Sequence, residues 1–279
     1  MKKVAITGAT GFLANELVEH LLSKEYEINA IARNEGKLVA LKKKYPSINI
    51  FPCPIEDKCL LKKALINCEG VFHLASFKDV VLAENNPTKT IQTNLLGTLN
   101  VLYLSNELEN IKFVITTSTD KAVKVSGVYG ASKMIVEKLF HEFDIINGNK
   151  CNYRLVRYGN IFYSTGSVLP KWKESLLNDK EIIITDPNAT RYFLTANEAV
   201  NLIMECLNTR NTTDAFYPKM KSIEIGKLLN LMIKKYAIKK PFIKEIGLRQ
   251  GENMHEYINS ELNSSNAERW TEQELMKIL

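Results

Sequence analysis

Tyr129 and Lys133 stand four residues apart in the stretch Thr116-Thr117-Ser118-Thr119-Asp120-Lys121-Ala122-Val123-Lys124-Val125-Ser126-Gly127-Val128-Tyr129-Gly130-Ala131-Ser132-Lys133. At that spacing a helix carries both on one face of its first turns. A phenol beside an ammonium is an acid/base pair, because the positive charge favours phenolate and draws the tyrosine pKa below its unperturbed value of about 10. Just upstream, Thr119, Asp120 and Lys121 add a hydroxyl, a carboxyl and an amine. They follow the apolar run Phe113-Val114-Ile115, which reads as a buried parallel strand. Open α/β sheets place their ligands at the carboxyl ends of strands. These five side chains are therefore the candidate catalytic set. A lone Tyr-x-x-x-Lys is common by chance in polar strand-to-helix loops, so its meaning depends on a second motif.

That motif lies at the N-terminus. Residues 3–7 read as a strand and 15–23 as a helix, with Gly8-Ala9-Thr10-Gly11-Phe12-Leu13-Ala14 between them. The spacing is Gly-x-x-Gly-x-x-Ala. Glycines let the backbone turn tightly and approach a pyrophosphate at the helix N-terminus, and Ala14 is small enough for the helix to pack on the strand. A second strand, 27–31, runs into Ala32-Arg33-Asn34-Glu35-Gly36-Lys37. A free ribose 2′-hydroxyl usually meets an Asp or Glu here. Arg33, with Lys37 close behind, suits a 2′-phosphate instead, because guanidinium forms charge-assisted bonds to phosphate oxygens. The expected cofactor is NADP(H), and the alternative for this stretch is an exposed basic loop.

Both motifs need a scaffold, and the chain supplies one. Strands are expected at 48–51, 70–75, 113–115 and 153–158, alternating with helices at 57–66, 88–108 and 132–143. That rhythm predicts an α/β fold with a doubly wound parallel sheet. His73, inside an apolar run, reads as a packed strand residue rather than a catalyst. After residue 158 the rhythm breaks into a loop at 159–167, a helix at 168–178, a short strand at 182–185 and a helix at 195–208. The expected division is a nucleotide-binding domain of residues 1–158 and about 190–214. A smaller, mainly C-terminal lobe of about 159–189 and 215–279 would hold the substrate.

Composition excludes several classes. The chain has 279 residues, enough for one large core or a large domain with a smaller lobe, and is 45% apolar and 24% charged. The net charge of +6 is spread out, and its local peaks, Lys42-Lys43-Lys44 and Lys239-Lys240, lack interleaved aromatics or a nucleic-acid motif. No nucleic-acid partner is expected, whereas a modest positive balance suits an anionic nucleotide substrate. The five cysteines form no Cys-x-x-Cys and no zinc-like spacing. No metal site is expected, and reduced thiols in a cytoplasmic location are. No apolar run is long enough to predict a signal peptide or a membrane span.

The glycine turn and the Tyr/Lys pair together resemble the extended short-chain dehydrogenases/reductases that act on nucleotide sugars. The finer resemblance is to the inverting UDP-N-acetylglucosamine 4,6-dehydratases of the pseudaminic acid pathway type. Five blocks carry it, in order along nearly the whole chain. The first two are Ala75-Ser76-Phe77-Lys78 and Ser118 to Val123 with Tyr129 to Lys133. The third is Arg157-Tyr158-Gly159-Asn160 with Gly166 to Pro170. The last two are Thr185-Asp186-Pro187 with Thr190 to Thr195, and Gly251-Glu252-Asn253-Met254-His255-Glu256. Membrane-anchored retaining relatives carry Met in the tyrosine position, so Tyr129 favours the small soluble branch.

The resemblance implies a Rossmann fold and a division of labour. Gly8, Thr10, Gly11, Phe12, Leu13, Arg33, Lys37, Ile55, Ala75, Asn94, Tyr129, Lys133, Tyr158, Asn160 and Ile161 would hold the cofactor. Lys78, Asn160, Ser167, Val168 and Arg249 would contact a UDP-sugar. Tyr129 would take the C4 hydroxyl proton, Thr119 would bond the C4 ketone, and Lys133 would hold the cofactor ribose and tune Tyr129. Lys121 would remove the C5 proton and Asp120 would donate to the departing C6 hydroxyl. That assignment asks for a raised carboxyl pKa and a lowered amine pKa. An alternative for Asp120 and Lys121 is a plain salt bridge, and Arg191 reads equally well as a structural ion-pair partner. Self-association is also common on this fold.

The chain departs from the family pattern in places. Tyr163-Ser164-Thr165 replaces Gly-Ser-Arg, which removes an arginine from a substrate-side loop. Cys53-Pro54 replaces Gly-Asp, and Val125 stands where a proline is expected. Gln250-Gly251-Glu252-Asn253 replaces Pro-Gly-Glu-Lys. Two alternatives therefore stand beside the full dehydratase. One is an NADPH-dependent reductase that performs only hydride return and C5 inversion on an unsaturated 4-keto sugar made by a partner. The other is an NADP-binding regulator without turnover, which Tyr129 and Lys133 disfavour.

Overall fold

The computed structural model describes residues 2–146, 150–209 and 214–279. Six apolar runs form one parallel sheet: β1 Lys3–Thr7, β2 Glu27–Ala32, β3 Asn49–Pro52, β4 Gly70–His73, β5 Phe113–Thr119 and β6 Asn152–Tyr158. Their order is β3-β2-β1-β4-β5-β6, so the winding reverses between β1 and β4. That reversal opens a crevice at the strands' carboxyl ends.

Apart from the edge strand β3, whose residues are half-buried or exposed, the strands are buried on both faces, as a parallel sheet requires. On one face Val4, Ile6, Ile28 and Ala30 pack against three helices. These are α1 Phe12–Ser23, α2 Glu35–Lys44 and, much later in the chain, Ala196–Asn208. On the other face Ala5, Ile31, Val71 and Val114 pack against α3 Lys58–Leu65 and against helices 97–107 and 128–146. Each fully buried Leu, Ile or Phe contributes roughly 1.5–3 kcal/mol. Side chains also cap these helices where chemistry allows: Asn34 accepts from Lys37 N, and Asp57 accepts from Leu60 N at 2.9 Å.

Between β4 and β5 run α4 Val80–Asn85, α5 Pro87–Thr90 and α6 Gly97–Glu107. The expected single helix over 88–108 is thus a helical run from Pro87 to Glu107 whose middle, Ile91–Leu96, is π-helical. A π-helical turn adds a residue per turn and re-aims side chains, and such turns often sit at functional sites. After β5 comes a 3₁₀ turn, Asp120–Ala122, and then α7 Val128–Ile146.

A separate core gathers behind β6. β7 Asn160–Ile161, β9 Thr190–Leu194 and β10 Ser222–Glu224 form a small sheet in the order β10-β9-β7. β8 Ile182–Ile184 pairs with β11 Ile243–Glu245. Around them lie α8 Val168–Leu177, α10 Ile225–Tyr236 and α11 Glu272–Ile278, while α9 is the helix Ala196–Asn208 already placed on the large sheet. Phe162 and Phe193 stack at 4.8 Å near the centre of this core, with Leu169, Trp172, Leu228 and Met232 around them. α9 opens with a capping box between Thr195 and Glu198.

His73 is a packed strand residue. It is 2% exposed, and its ring shares hydrogen bonds with Thr7 Oγ1 at 2.8 Å and Thr98 Oγ1 at 2.9 Å. Burial pushes its pKa down to about 3, so the ring is neutral.

Candidate active site

Gly8 makes the turn after β1 at φ +70°, and a Cβ there would come within 2.8 Å of the Ala75 backbone. Only glycine tolerates both the conformation and the approach. Gly11 is the N-cap of α1, which starts at Phe12 rather than at residue 15, and no side chain caps it. The first-turn amides of Phe12 and Leu13 are therefore available to an anion. A groove of about 300 Å³ opens beside the turn, lined by Thr10, Phe12, Asn15, Glu16, Glu19, Lys44 and Thr165. At the end of β2, Arg33 and Lys37 are exposed, and among the described residues neither takes part in an ion pair. A tight turn, an uncapped helix start and two unengaged cations fit a dinucleotide with an extra phosphate.

The candidate catalytic side chains converge at the end of β5. The strand runs on to Thr119, four residues past its expected end, and α7 begins at Val128, so Tyr129 is in its first turn. Glu84 from α4 fixes that start by accepting from Val128 N. Thr119 Oγ1 donates to Asp120 Oδ1 at 2.9 Å, and the Tyr129 hydroxyl lies within the influence of Thr119, Asp120 and Lys121. Lys121 Nζ lies 3.0 Å from Asp120 Oδ1 and 3.3 Å from Glu256 Oε1. Arg191 Nε is 3.9 Å from the same Glu256 oxygen. Asp120 Oδ2 and Glu256 Oε1 are buried without a hydrogen-bond partner. Gly159 makes room for this group: a Cβ there would sit 2.5 Å from Tyr192 Cβ and 3.0 Å from Asp120 Oδ2.

Electrostatics agree with the sequence reading in part. Burial raises the Asp120 pKa, against the pull of Lys121 and Thr119, as a general acid requires. Lys121 departs from expectation. Its pKa is raised, because Asp120 and Glu256 together outweigh the cost of burial. Tyr129 departs as well. Burial pushes the phenol up to about 12, and the cation pulling it down is Lys121 rather than Lys133. Lys133 is 5% exposed, and burial pushes its own amine down to about 8, with Glu137 opposing the shift. Glu137 is held in turn by Arg157 at 2.6 Å and by the Ser118 hydroxyl, which ties α7 to β5 and β6.

The remaining candidates are scattered around this centre. Tyr158 is buried beside Thr119 in the β5–β6 register, and burial raises its pKa. Asn160 donates to Tyr192 O at 3.1 Å, and Ile161 is 8% exposed beside it. Ile55 packs its side chain on Gly97 of α6. Ala75 lines the Gly8 turn, and its amide donates to Thr7 Oγ1 at 3.2 Å. Lys78 Nζ reaches Thr165 O at 3.1 Å, joining its loop to the loop of the second core. Ser167 precedes α8 with its hydroxyl buried and unpartnered, and Val168 opens the helix. Arg249 lies on an exposed loop where its amide meets Glu252 at 3.1 Å.

The Asn94 side chain is engaged within the protein. It is 2% exposed and accepts from Phe77 N at 2.7 Å and Ser76 Oγ at 3.1 Å. It donates to Ser132 Oγ at 2.9 Å and Phe77 O at 3.1 Å. An amide has two donors and two acceptor sites, so the side chain is fully spent on binding the 75–78 loop to α7. Glu256 was not singled out by sequence reasoning. It lies in the block Gly251 to Glu256, and the only signal was its place in that block. Arg191 is an ion-pair partner, one of the two readings its position allowed.

Comparison with known proteins places the geometry in context. Residues 4–277 match the family model described as polysaccharide biosynthesis protein. An uncharacterised membrane protein of Methanocaldococcus jannaschii is 35% identical over 91% of this chain and 79% of its own. The inverting UDP-N-acetylglucosamine 4,6-dehydratase of Campylobacter jejuni is 33% identical over 93% of this chain and 78% of its own. A UDP-glucose 4-epimerase of Rickettsia canadensis is 30% identical over 96% and 80%. Among solved structures, Pen from Bacillus thuringiensis superposes with a TM-score of 0.93 at 27% identity, covering 99% of this chain and 97% of its own. Among the described residues no helix is long and apolar enough to cross a membrane.

Proposed function

The chain belongs to the polysaccharide-biosynthesis family of extended short-chain dehydrogenases/reductases, and from that footing we propose that it is an NADP-dependent nucleotide-sugar 4,6-dehydratase that inverts C5 of UDP-N-acetylglucosamine. The observation that carries this reading is the buried Asp120–Lys121 pair within reach of Thr119 and Tyr129. Simple C4 oxidation and reduction need only the tyrosine, the threonine and the second lysine. An additional carboxyl of raised pKa joined to an amine supplies the acid and base for elimination.

In this reading a bound dinucleotide would supply the hydride chemistry, as acceptor from C4 and later as donor. Gly8, Gly11 and the first turn of α1 would hold its pyrophosphate, and Arg33 with Lys37 would hold a 2′-phosphate. Tyr129 must first release its own proton to solvent; as phenolate it then takes the C4 hydroxyl proton, and Thr119 bonds the resulting ketone oxygen. The ketone acidifies C5–H, Lys121 takes that proton, and Asp120 delivers its own to the C6 hydroxyl, which leaves as water. Incubation with UDP-N-acetylglucosamine and catalytic NADP⁺ should yield a 4-keto product lighter by one water, with deuterium from solvent at C5. Recovery of a C4 epimer without loss of water, or no conversion, would overturn the proposal. One observation favours the half-reaction reductase as a second reading: Lys121 is held as an ammonium, a proton donor, in the resting site.

A further inference from the structure

We propose that Glu256 is a positioning residue for the C5 proton transfer: it anchors the Lys121 ammonium from the C-terminal part of the chain and leaves Asp120 as the group that exchanges a proton with it. This rests on the proposed dehydratase chemistry and adds to it a residue from a distant segment.

The geometry is specific. An ammonium has three N–H bonds. Lys121 donates one of its three to Asp120 Oδ1 at 3.0 Å, and Glu256 Oε1 lies 3.3 Å from the same nitrogen as an ion-pair partner on another side. Glu256 is fully buried, and such a carboxylate is stable only with paired charge. Lys121 and Arg191 supply that pairing, and Asn253 Nδ2 adds a contact at 3.4 Å. Main-chain bonds hold the segment in place. Glu256 N donates to Ser264 Oγ at 2.9 Å, and the Ser264 amide donates to Glu256 O at 2.8 Å. The charged and titratable groups facing Lys121 are Asp120 on its own turn, Tyr129 on α7, Arg191 on β9 and Glu256.

An ammonium cannot accept the C5 proton until it has given one up. Two carboxylates are in reach, and they are not equivalent. Glu256 carries a second cation, Arg191, and its pKa is lowered, whereas the Asp120 pKa is raised. The proton therefore moves to Asp120: a Lys121 N–H bond breaks, an Asp120 O–H bond forms, and a neutral amine stands beside a protonated carboxyl. Lys121 then takes the proton from C5 and Asp120 gives its proton to the C6 hydroxyl. The sugar loses one water, and Lys121 and Asp120 return to ammonium and carboxylate. Glu256 stays anionic throughout.

The test has one arm that needs no substrate. In protein labelled with ¹³C at lysine Cε, the Lys121 signal is assigned by its loss in Lys121→Ala and titrated in wild type, Glu256→Gln and Glu256→Asp. Wild-type Lys121 should titrate above the ordinary lysine value of about 10.4. Glu256→Gln should lower it at least tenfold in proton affinity, and Glu256→Asp should restore most of the difference. The second arm follows C5 deuterium exchange against pH with UDP-N-acetylglucosamine. The rising limb should move to lower pH in Glu256→Gln and return in Glu256→Asp. A wild-type Lys121 titrating at or below the ordinary value overturns the inference even if Glu256→Gln fails to fold. So does a Glu256→Gln profile lowered uniformly with no displacement of its limb. If wild type shows neither product nor exchange, the dehydratase reading fails by itself, and the Lys121 titration still decides whether Glu256 anchors the ammonium.

Discussion

His73 joins β1, β4 and α6 through Thr7 and Thr98, and its buried ring should make stability depend on pH in a calculable way. Its folded pKa is about 3, against about 6.5 for an unfolded histidine. The folded value is depressed, so between these two the unfolded chain binds more protons, and stability falls as pH falls through that window. The loss from this one group is about 2 kcal/mol at pH 5 and about 3 kcal/mol at pH 4, relative to pH 8. Urea unfolding at pH 8, 6, 5 and 4 should show that dependence in wild type on top of the carboxylate background. His73→Asn keeps a polar side chain and removes the titration. It should be less stable at pH 8, and its stability should fall less steeply, so that the two curves converge by about 2 kcal/mol at pH 5. Parallel curves over this range would show that the ring is not held neutral, and the account of His73 as a buried strand residue would be wrong.

The other predictions concern the site. Arg33→Asp should weaken NADP(H) binding roughly 10- to 100-fold, from the loss of a charge-assisted bond worth about 1.5–3 kcal/mol, while NAD(H) binding changes far less; equal loss for both in a fluorescence titration would remove Arg33 from the 2′-phosphate site. Tyr129→Phe should leave cofactor affinity largely intact and abolish hydride transfer from C4, read as NADPH absorbance in single turnover, and an unimpaired signal would displace Tyr129 from its role. Asp120→Asn should slow loss of the C6 hydroxyl about 10²–10⁴-fold, so that the oxidised sugar and NADPH accumulate. If the protein instead performs only the second half-reaction, that variant should reduce an already dehydrated sugar at nearly the wild-type rate.

Much of this architecture was legible in the chain because local signals carried it. The parallel strands are short apolar runs, and the turn at Gly8 is marked by its glycines. The five catalytic candidates fall within fifteen positions, Thr119 to Lys133, so one strand end and one helix start bring them together. Boundaries set by distant partners were not legible. α7 begins four residues early because Glu84, on another helix, accepts from Val128 N, and no nearby residue announces that cap. α1 begins three residues early because Gly11 serves as N-cap with only backbone to offer. The π-helical stretch leaves no mark in the apolar pattern, and it holds Asn94, whose amide is consumed by Phe77, Ser76 and Ser132 rather than left for a ligand.

Signs of pKa shifts were the least legible of all, and the reason is instructive. Sequence spacing pairs Tyr129 with Lys133, from which one expects a lowered phenol, while the proposed chemistry asks for a raised carboxyl at Asp120 and a lowered amine at Lys121, both through burial. Folding adds two effects of comparable size, desolvation and charges from elsewhere in the chain. For Tyr129 desolvation wins, so the resting hydroxyl is neutral and keeps its proton until the reaction gives it reason to leave. For Lys121 charge wins: Asp120 beside it and Glu256, which arrives from a distant segment, together outweigh the cost of burial. The catalytic residues are thus named by local sequence, while the direction in which each holds its proton is set by burial and by the summed charge around it, part of which Glu256 supplies. Replacing Lys121 alone cannot separate these contributions. Changing Glu256 while leaving Thr119, Asp120, Lys121 and Tyr129 in place can, because it alters the charge around an otherwise intact cluster.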